Sequence, residues 1–183
     1  MGAPDVAAVS EAKDLVAALV KRARAAQREF ARWPQARVDE AALACGWAIM
    51  KPENNRRLAE TAVRDSGLGN VDDKIQKNHR KTLGLLRDIA GVTTVGVIAE
   101  YPEKGLTEIA RPVGVVASIV PSTNPGATPA NQVINAVKCG NAIILAPSPK
   151  GYSTCELLLQ FMHAELAKVG APKDLVQVLP SPV

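Results

Sequence analysis

The most constraining feature of the 183-residue sequence is a regular alternation of apolar strands and helices that begins near residue 112. A β-α-β-α-β order predicts parallel strands, because each helical crossover returns the chain to the end of the sheet where the previous strand began. We therefore predict an α/β fold in which residues 112–183 form half of a doubly wound, Rossmann-like parallel sheet. The segments, in order, are VGVVASIV, PANQVINAVKCG, NAIILA, GYSTCELLLQFMHAELAKVG and DLVQVL.

Residues 1–90 read as helices that precede this sheet. Apolar residues recur every three or four positions between Ser10 and Trp33, with Ser10 as the predicted N-cap and Pro34 as the breaker. A second helix is predicted over 36–50, and a third from Pro52 to about Gly67. The fourth helix is predicted to begin after Asn70 as its cap, and its predicted inward residues are Ile75, Leu83, Leu86 and Ile89.

Residues 91–111 predict a β-hairpin between the helices and the sheet. Two β-rich stretches, VTTVGVIAE and LTEIARPVG, flank the turn sequence YPEKG. An isolated hairpin leaves strand edges open, and such edges need covering by the same protein or by another copy.

Composition and charge exclude several classes of function. The net charge is +4, but basic residues alternate with acidic ones and aromatics are only 3%, so no nucleic-acid surface is predicted. Apolar runs fall short of the ~18 residues of a membrane span. Three cysteines without a C-x-x-C pair fit a reduced, cytoplasmic protein, and we predict all three to be buried. His79 and His163 are far apart in sequence, so no metal site is predicted.

Two loops at predicted strand ends carry the candidate chemistry, because ligands of open α/β sheets bind beyond the carboxyl ends of strands. The first loop, PSTNP, contains Pro121, Ser122, Thr123 and Asn124. The amide of Asn124 can donate to a developing oxyanion without titrating. A plainer interpretation is that Asn124 makes a turn and caps the following helix.

The second loop, APSPKG, contains Ala146, Ser148 and Lys150. It lacks the carboxylate that usually binds the ribose of an unphosphorylated dinucleotide, and neither loop carries a G-x-G-x-x-G fingerprint. Ser148 could bind a ribose hydroxyl. Lys150 could face a 2′-phosphate, and a lysine in a solvated turn fits the sequence equally well.

Together with their flanking segments, the two loops resemble the aldehyde dehydrogenase superfamily, and in particular its acylating, coenzyme A-dependent branch. That branch includes acetaldehyde, propionaldehyde and sulfoacetaldehyde dehydrogenases. The segment 111–151 carries the resemblance, especially PSTNP combined with KCGNAII. DSGLGNVDDKIQKN (65–78) adds to it, since it is similar to the family's Glu/Asp-Thr/Ser-Gly-x-Gly segment with its following Asp-Lys.

The resemblance implies roles for both loops. Asn124 would form part of the oxyanion hole, whereas Pro121, Ser122 and Thr123 would line the nicotinamide side of the cofactor cleft. The residues from Ala146 to Lys150 would lie near the adenosine ribose. The hairpin at 92–114 resembles the family's oligomerisation and bridging strands, so we expect a homo-oligomer, either a dimer or a tetramer. Ala146 and Pro149 stand where hydrolytic members usually have lysine and glutamate, which favours the acylating branch and leaves NAD or NADP open.

The resemblance also implies that the catalytic cysteine lies in a separate domain after Val183. We therefore expect an N-terminal portion of an enzyme that converts an aldehyde, CoA and NAD(P)⁺ into acyl-CoA and NAD(P)H, and no turnover by this chain alone. The first alternative is a hydrolytic aldehyde or semialdehyde dehydrogenase. The second is a non-catalytic binding or assembly module, because amphipathic N-terminal extensions direct some acylating relatives into protein-shelled microcompartments.

Overall fold

The computed structural model describes residues 6–180 and contains the predicted helices, hairpin and parallel sheet. The helices are α1 (Val6–Phe30), α2 (Gln35–Met50), α3 (Pro52–Ser66), α4 (Val71–Asp88), α5 (Ala127–Lys138) and α6 (Tyr152–Lys168). The strands are β1 (Gly96–Tyr101), β2 (Leu106–Ala110), β3 (Val115–Val120), β4 (Ala142–Pro147) and β5 (Val176–Val178).

The three-stranded sheet has the order β3-β4-β5, and both pairings are parallel. α1 packs on one face of the sheet, and the crossover helices α5 and α6 pack on the other. A further layer of helices covers α5 and α6, with α2 in contact with both. The predicted half of a doubly wound sheet is confirmed, and its carboxyl edge carries both candidate loops.

Several helix boundaries follow the predicted capping chemistry. Asn70 caps α4, and its side-chain oxygen accepts a hydrogen bond of 2.9 Å from the Asp73 backbone N–H. α3 begins at Pro52 and ends before Gly67, whose φ of 67° lies in the left-handed region that glycine adopts without strain. The predicted cap at Ser10 is wrong, because α1 already begins at Val6 and Ser10 lies inside it.

The predicted inward face of α4 is wrong at Leu83, which is exposed. The side chains that α4 buries fully are polar: Lys74, Asn78 and Thr82. They recur every fourth residue and so form one stripe along the helix. Within this stripe, Asn78 Nδ2 donates a hydrogen bond of 2.9 Å to Oδ1 of Asn55 in α3.

β3 is less buried than its continuous apolar sequence predicts. Ile119 is 84% exposed, whereas Val120 is fully buried. The strand lies at one edge of the described sheet, and α1 covers only part of the face that carries Ala117 and Ile119. The two-sided burial that we predicted for this strand is therefore wrong within the described residues.

The hairpin is confirmed, and a hydrogen-bond network holds its base against the helical layer. β1 and β2 are antiparallel, and a short 3₁₀ turn at 102–104 connects them. Just before β1, the backbone N–H groups of Thr94 and Val95 donate to Gln35 Oε1 at 2.7 and 3.1 Å. Gln35 Nε2 also donates to Asp39, which pairs at 2.5 Å with the buried ammonium of Lys138. Over residues 6–180, no helix combines the length and the apolarity that a membrane crossing needs.

Candidate functional site

The loops after β3 and β4 lie side by side at the carboxyl edge of the sheet. The backbone N–H of Ser148 donates to the carbonyl of Val120 at 3.0 Å, which extends the strand pairing into the second loop. Gly151, at the end of the second loop, packs against Pro125 of the first, since a Cβ placed at Gly151 would lie 2.9 Å from Pro125 Cβ. The structure thus brings the sequence-predicted residues 121–124 and 146–150 to one edge.

Asn124 is half-buried in the first loop and does not cap the following helix. Gly126 is the N-cap of α5, and no side chain caps that helix end. Asn124 Nδ2 instead donates to Thr128 Oγ1 at 2.9 Å, which fixes the orientation of the amide. An amide nitrogen carries two hydrogens, so one N–H remains available to an acceptor such as an oxyanion. The capping interpretation is wrong.

The other residues of the first loop differ in exposure. Pro121 and Thr123 are exposed, and Ser122 is half-buried. Thr123 also lines a cleft of about 230 Å³ with the segment that joins α3 to α4 and with the first turns of α4. The two segments that carry the family resemblance therefore meet at this cleft.

The residues of the second loop differ in exposure as well. Ser148 Oγ is buried and has no hydrogen-bond partner among the described residues. Lys150 is exposed. Ala146 lines a separate groove of about 580 Å³ between α1 and the sheet. The Oγ atom of Ser148 is directed toward Gly151, since a Cβ at Gly151 would lie 3.3 Å from it, so it packs between the two loops.

The polar stripe of α4 reaches this edge, and sequence reasoning missed it. Asn78 lies directly against the start of α5, because a Cβ at Gly126 would be 3.3 Å from Asn78 Oδ1. Lys74 lines the cleft that contains Thr123. Burial lowers the pKa of Lys74, and the nearby charge of Lys77 lowers it further. The signal in the sequence was three polar residues spaced four apart on one side of the helix, next to the predicted apolar face.

A larger cleft, of about 650 Å³, lies on another side of α4. Met50, Pro52 and Asn55 line it together with residues of α4 from Asp73 to Arg80. None of the strand-end residues belongs to its lining. The cleft that contains Thr123 is the better candidate site, because Thr123 belongs to the loop that follows β3 at the carboxyl edge of the sheet.

The cysteines within the described part do not provide a nucleophile at this edge. Burial raises the pKa of Cys45 and of Cys155 to about 12, which leaves both thiols protonated. Cys139 is exposed, so its predicted burial is wrong. It lies at the C-terminal end of α5, at the opposite edge of the sheet from Asn124.

The histidines stand apart from each other and from the candidate edge. The ring nitrogen Nε2 of His163 lies 2.8 Å from the carbonyl oxygen of Val176, and His79 lines the larger cleft against α4. Across residues 6–180, no three His, Cys, Asp or Glu side chains cluster closely enough to hold a metal ion.

Comparison with known proteins relates the whole described fold to one family. The family described as Aldehyde dehydrogenase family matches residues 5–183. A sulfoacetaldehyde dehydrogenase (acylating) from Cupriavidus necator is 70% identical over 94% of this chain, and the match covers 35% of that protein. The chain thus spans about a third of the length of the curated relative.

Two solved structures show the same architecture. An acetylating aldehyde dehydrogenase from Geobacillus thermoglucosidasius is 33% identical, with a TM-score of 0.88 over 96% of this chain and 38% of that chain. A propionaldehyde dehydrogenase from Rhodopseudomonas palustris, solved with bound CoA and an acylated cysteine, is 25% identical. Its TM-score is 0.78, over 91% of this chain and 37% of that chain.

Proposed function

The chain belongs to the aldehyde dehydrogenase family, and we propose from that premise that its full gene product is a CoA-acylating aldehyde dehydrogenase. Residues 6–180 contribute the oxyanion donor and one side of the cofactor cleft. The observation that carries this proposal is the position of Asn124. Its amide is oriented by Thr128 and stands half-buried at the carboxyl edge of a parallel sheet.

Asn124 stabilises negative charge on the aldehyde oxygen in both halves of the proposed reaction. A cysteine thiolate adds to the aldehyde carbon, and the carbonyl electron pair moves onto oxygen. Loss of hydride from that carbon then gives the thioester. Attack by the CoA thiolate recreates an oxyanion, whose collapse releases acyl-CoA and the cysteine thiolate. A neutral donor suits both steps, because it need not gain or lose a proton.

The nucleophilic cysteine is proposed to lie outside residues 1–183. Cys45 and Cys155 are protonated and buried, and Cys139 lies at the wrong edge of the sheet. This placement agrees with the similarity to relatives about three times as long.

A nicotinamide cofactor is proposed to lie across the two strand-end loops, where it accepts the hydride when bound. Ser122 and Thr123 then face the nicotinamide side, together with Pro121. Ala146, Ser148 and Lys150 then flank the ribose. Lys150 decides between cofactors: if it binds the 2′-phosphate, Lys150→Ala raises KM for NADP and leaves KM for NAD unchanged.

The proposed substrates are CoA and a small aldehyde, and sulfoacetaldehyde is favoured by the 70% identity to an acylating sulfoacetaldehyde dehydrogenase. Product analysis with and without CoA tests the acyl acceptor. A thioester formed only with CoA supports the acylating reaction, whereas a free acid formed at the same rate without CoA supports a hydrolytic enzyme.

The hairpin is proposed to join copies of the enzyme. Large apolar side chains on both of its strands are exposed: Val97, Ile98, Leu106 and Ile109. A two-stranded ribbon with open edges and apolar faces is suited to pairing with a second copy. A microcompartment role for the N-terminal segment stays a hypothesis, because part of that segment lies outside the described residues.

The direct test of the proposed function is the change of Asn124 to alanine in the full gene product. Without the amide donor, kcat should fall by about 10²–10³ because the oxyanion loses a preorganised hydrogen bond. Thr128→Val is the matched comparison: it keeps the amide but removes the group that orients it, so a smaller loss is expected. Unchanged turnover in Asn124→Ala would remove this residue from the mechanism.

A further inference from the structure

The carboxylate of Asp65, in the last turn of α3, connects that helix to the start of α6. Ser153 Oγ of α6 donates a hydrogen bond to Asp65 Oδ2, although the two residues are 88 positions apart in sequence. Arg64 donates to the same carboxylate, from Nε to Oδ1 at 2.6 Å and from Nη2 to Oδ2 at 3.1 Å. The hydrogen bond from Arg64, and after it the one from Ser153, lowers the pKa of Asp65. The ionised carboxylate therefore holds Ser153 by a charge-assisted hydrogen bond.

The start of α6 lacks a local group that does the same. Within residues 6–180, α6 begins at Tyr152 without a side-chain cap and without an acidic residue in its first turn. The free backbone N–H groups of a first turn carry partial positive charge, and a nearby anionic side chain stabilises them. Asp65 supplies this negative charge from another helix. The point at which the second loop enters α6 is therefore held by a residue that lies outside the sheet.

The contact at Ser153 is coupled to the second loop through a tight turn. Residues 149–151 form a 3₁₀ turn, in which the backbone N–H of Gly151 donates to the carbonyl of Ser148 at 2.9 Å. Ser148 and Lys150 precede Ser153 by five and three residues. Because the turn between them is closed by its own hydrogen bond, a shift at Ser153 must also displace these two residues.

The chain that follows Asp65 reaches the first loop. Leu68 and Gly69 line the cleft that contains Thr123. Gly67 and Gly69 have φ angles of 67° and 71°, and this left-handed backbone turns the chain between α3 and α4. The end of α3 and the segment after it thus contact the start of α6 and line one cleft with the first loop. They span the two loops across which the cofactor is proposed to lie.

We propose that Asp65 is a positioning residue that holds the second loop where the adenosine ribose of the cofactor binds. This inference rests on the proposed function and deepens it, since it names the group that orders one half of the cofactor cleft. Asp65 acts through Ser153 and the start of α6, and its carboxylate touches neither the cofactor nor the reacting atoms. Its loss should therefore weaken cofactor binding more than it slows the chemical steps.

The kinetic test uses Asp65→Asn in the full gene product, which keeps the size of the side chain and removes its charge. The KM for the nicotinamide cofactor should rise about tenfold, and so should the Kd of the reduced cofactor in a fluorescence titration. Both kcat and the KM for the aldehyde should stay within about threefold of the parent values. Asp65→Glu restores the charge, and its cofactor KM should return to within about threefold of the parent.

Two further variants test whether the contact itself is responsible. Ser153→Ala should raise the cofactor KM as well, and the double variant should be no worse than the more affected single one, because both changes remove the same interaction. Asp88→Asn is the matched control. Asp88 also pairs with the preceding arginine, Arg87, but its side chain is 68% exposed at the end of α4. This change should leave the cofactor KM unchanged.

Hydrogen exchange separates this inference from the proposed function, because it needs neither cofactor nor turnover. Amide groups within 148–153 should exchange faster in Asp65→Asn than in the parent, while those of β4 keep their rates. Equal exchange in the two proteins, an unchanged cofactor KM, or an equal rise in the KM for the aldehyde would overturn the inference. A parent protein that binds no nicotinamide cofactor would contradict the proposed function, and the exchange rates would still decide whether Asp65 holds the loop.

Discussion

Gly151 sets how closely the two candidate loops approach each other. Its backbone has φ −106° and ψ −4°, a conformation that alanine also adopts. The requirement for glycine is therefore steric: a Cβ would lie 2.9 Å from Pro125 Cβ and 3.3 Å from Ser148 Oγ. Since the proline ring is rigid, the extra methyl group must push the loops apart.

Gly151→Ala is predicted to destabilise the protein by about 1–3 kcal/mol, the usual cost of an extra methyl group in a packed site. It should also raise KM for the nicotinamide cofactor, whose proposed site spans both loops. Urea unfolding and initial-rate kinetics of the full gene product measure the two effects.

Gly84→Ala provides the matched control for this prediction. Gly84 lies within α4, and a Cβ there meets nothing within 4 Å. The same chemical change should therefore raise stability by about 0.5–1 kcal/mol through helix propensity. If Gly151→Ala were as harmless as Gly84→Ala, the loops would not be held by this contact.

Single residues were predictable from the sequence where their chemistry is local. Asn70 as a cap and Gly67 as a helix stop depend on neighbouring backbone groups, and the structure contains both. The burial of Lys74 was not predictable, because a lysine in a helix rich in charged residues is usually exposed to solvent. In the structure Lys74 lines the same cleft as Thr123 of the first loop, which is distant in sequence.

Among the helices, a cluster of charges ties α6 to the end of α2. Glu165 of α6 accepts from Lys51 Nζ at 2.5 Å and from Lys168 Nζ at 2.9 Å. The hydrogen bond from Lys51 is the main reason why the pKa of Glu165 is lowered, and Lys168 adds to the effect. The carboxylate is thus held ionised within the fold.

This cluster predicts how stability changes in acid. A folded-state pKa below the unfolded value of about 4.5 means that the interaction stabilises the fold above that pH. The stabilisation is then lost as the pH falls through the lower folded-state pKa. Urea unfolding of the parent at several acidic pH values should therefore show a steeper loss of stability than unfolding of Glu165→Gln.

Glu156→Gln is the control for the unfolding measurements at acidic pH, because Glu156 is exposed on the same helix. Its pH profile should follow that of the parent. If Glu165→Gln also followed the parent profile, the ion cluster would not contribute to the pH dependence.

The type and order of the helices and strands were predicted correctly from the spacing of apolar residues. The face that an element buries was predicted less well. The β-α-β-α-β order followed from alternating apolar segments and glycine stops, and the sheet has that order. The face of α4 was mispredicted because apolar periodicity ignores a polar interior. Burial of β3 was overestimated, because the apolar sequence of a strand does not show whether other elements cover both of its faces.

For the molecule as a whole, the hairpin gives a prediction about assembly. Val97 of β1 and Ile109 of β2 are direct cross-strand partners, and both are about half exposed. Replacing both by threonine keeps the strand propensity but removes the apolar surface. The dissociation constant of the proposed homo-oligomer should rise by about tenfold or more, as measured by analytical ultracentrifugation.

Threonine at Leu15 and Val16, which are exposed on α1, is the comparison for the hairpin variant. That pair should leave the oligomer intact if the hairpin alone mediates assembly. An unchanged dissociation constant for the hairpin variant would place the interface elsewhere.

In the proposed mechanism, the amide of Asn124 faces the reacting carbonyl. A crystal structure of the full gene product, trapped as its acyl-cysteine intermediate with nicotinamide cofactor, measures this directly. We predict Asn124 Nδ2 at about 2.7–3.1 Å from the acyl oxygen, with the cofactor across the loops 121–124 and 146–150. An Asn124 side chain turned away from the acyl group would contradict the proposed mechanism. A cofactor bound away from both loops would contradict the proposed cofactor site.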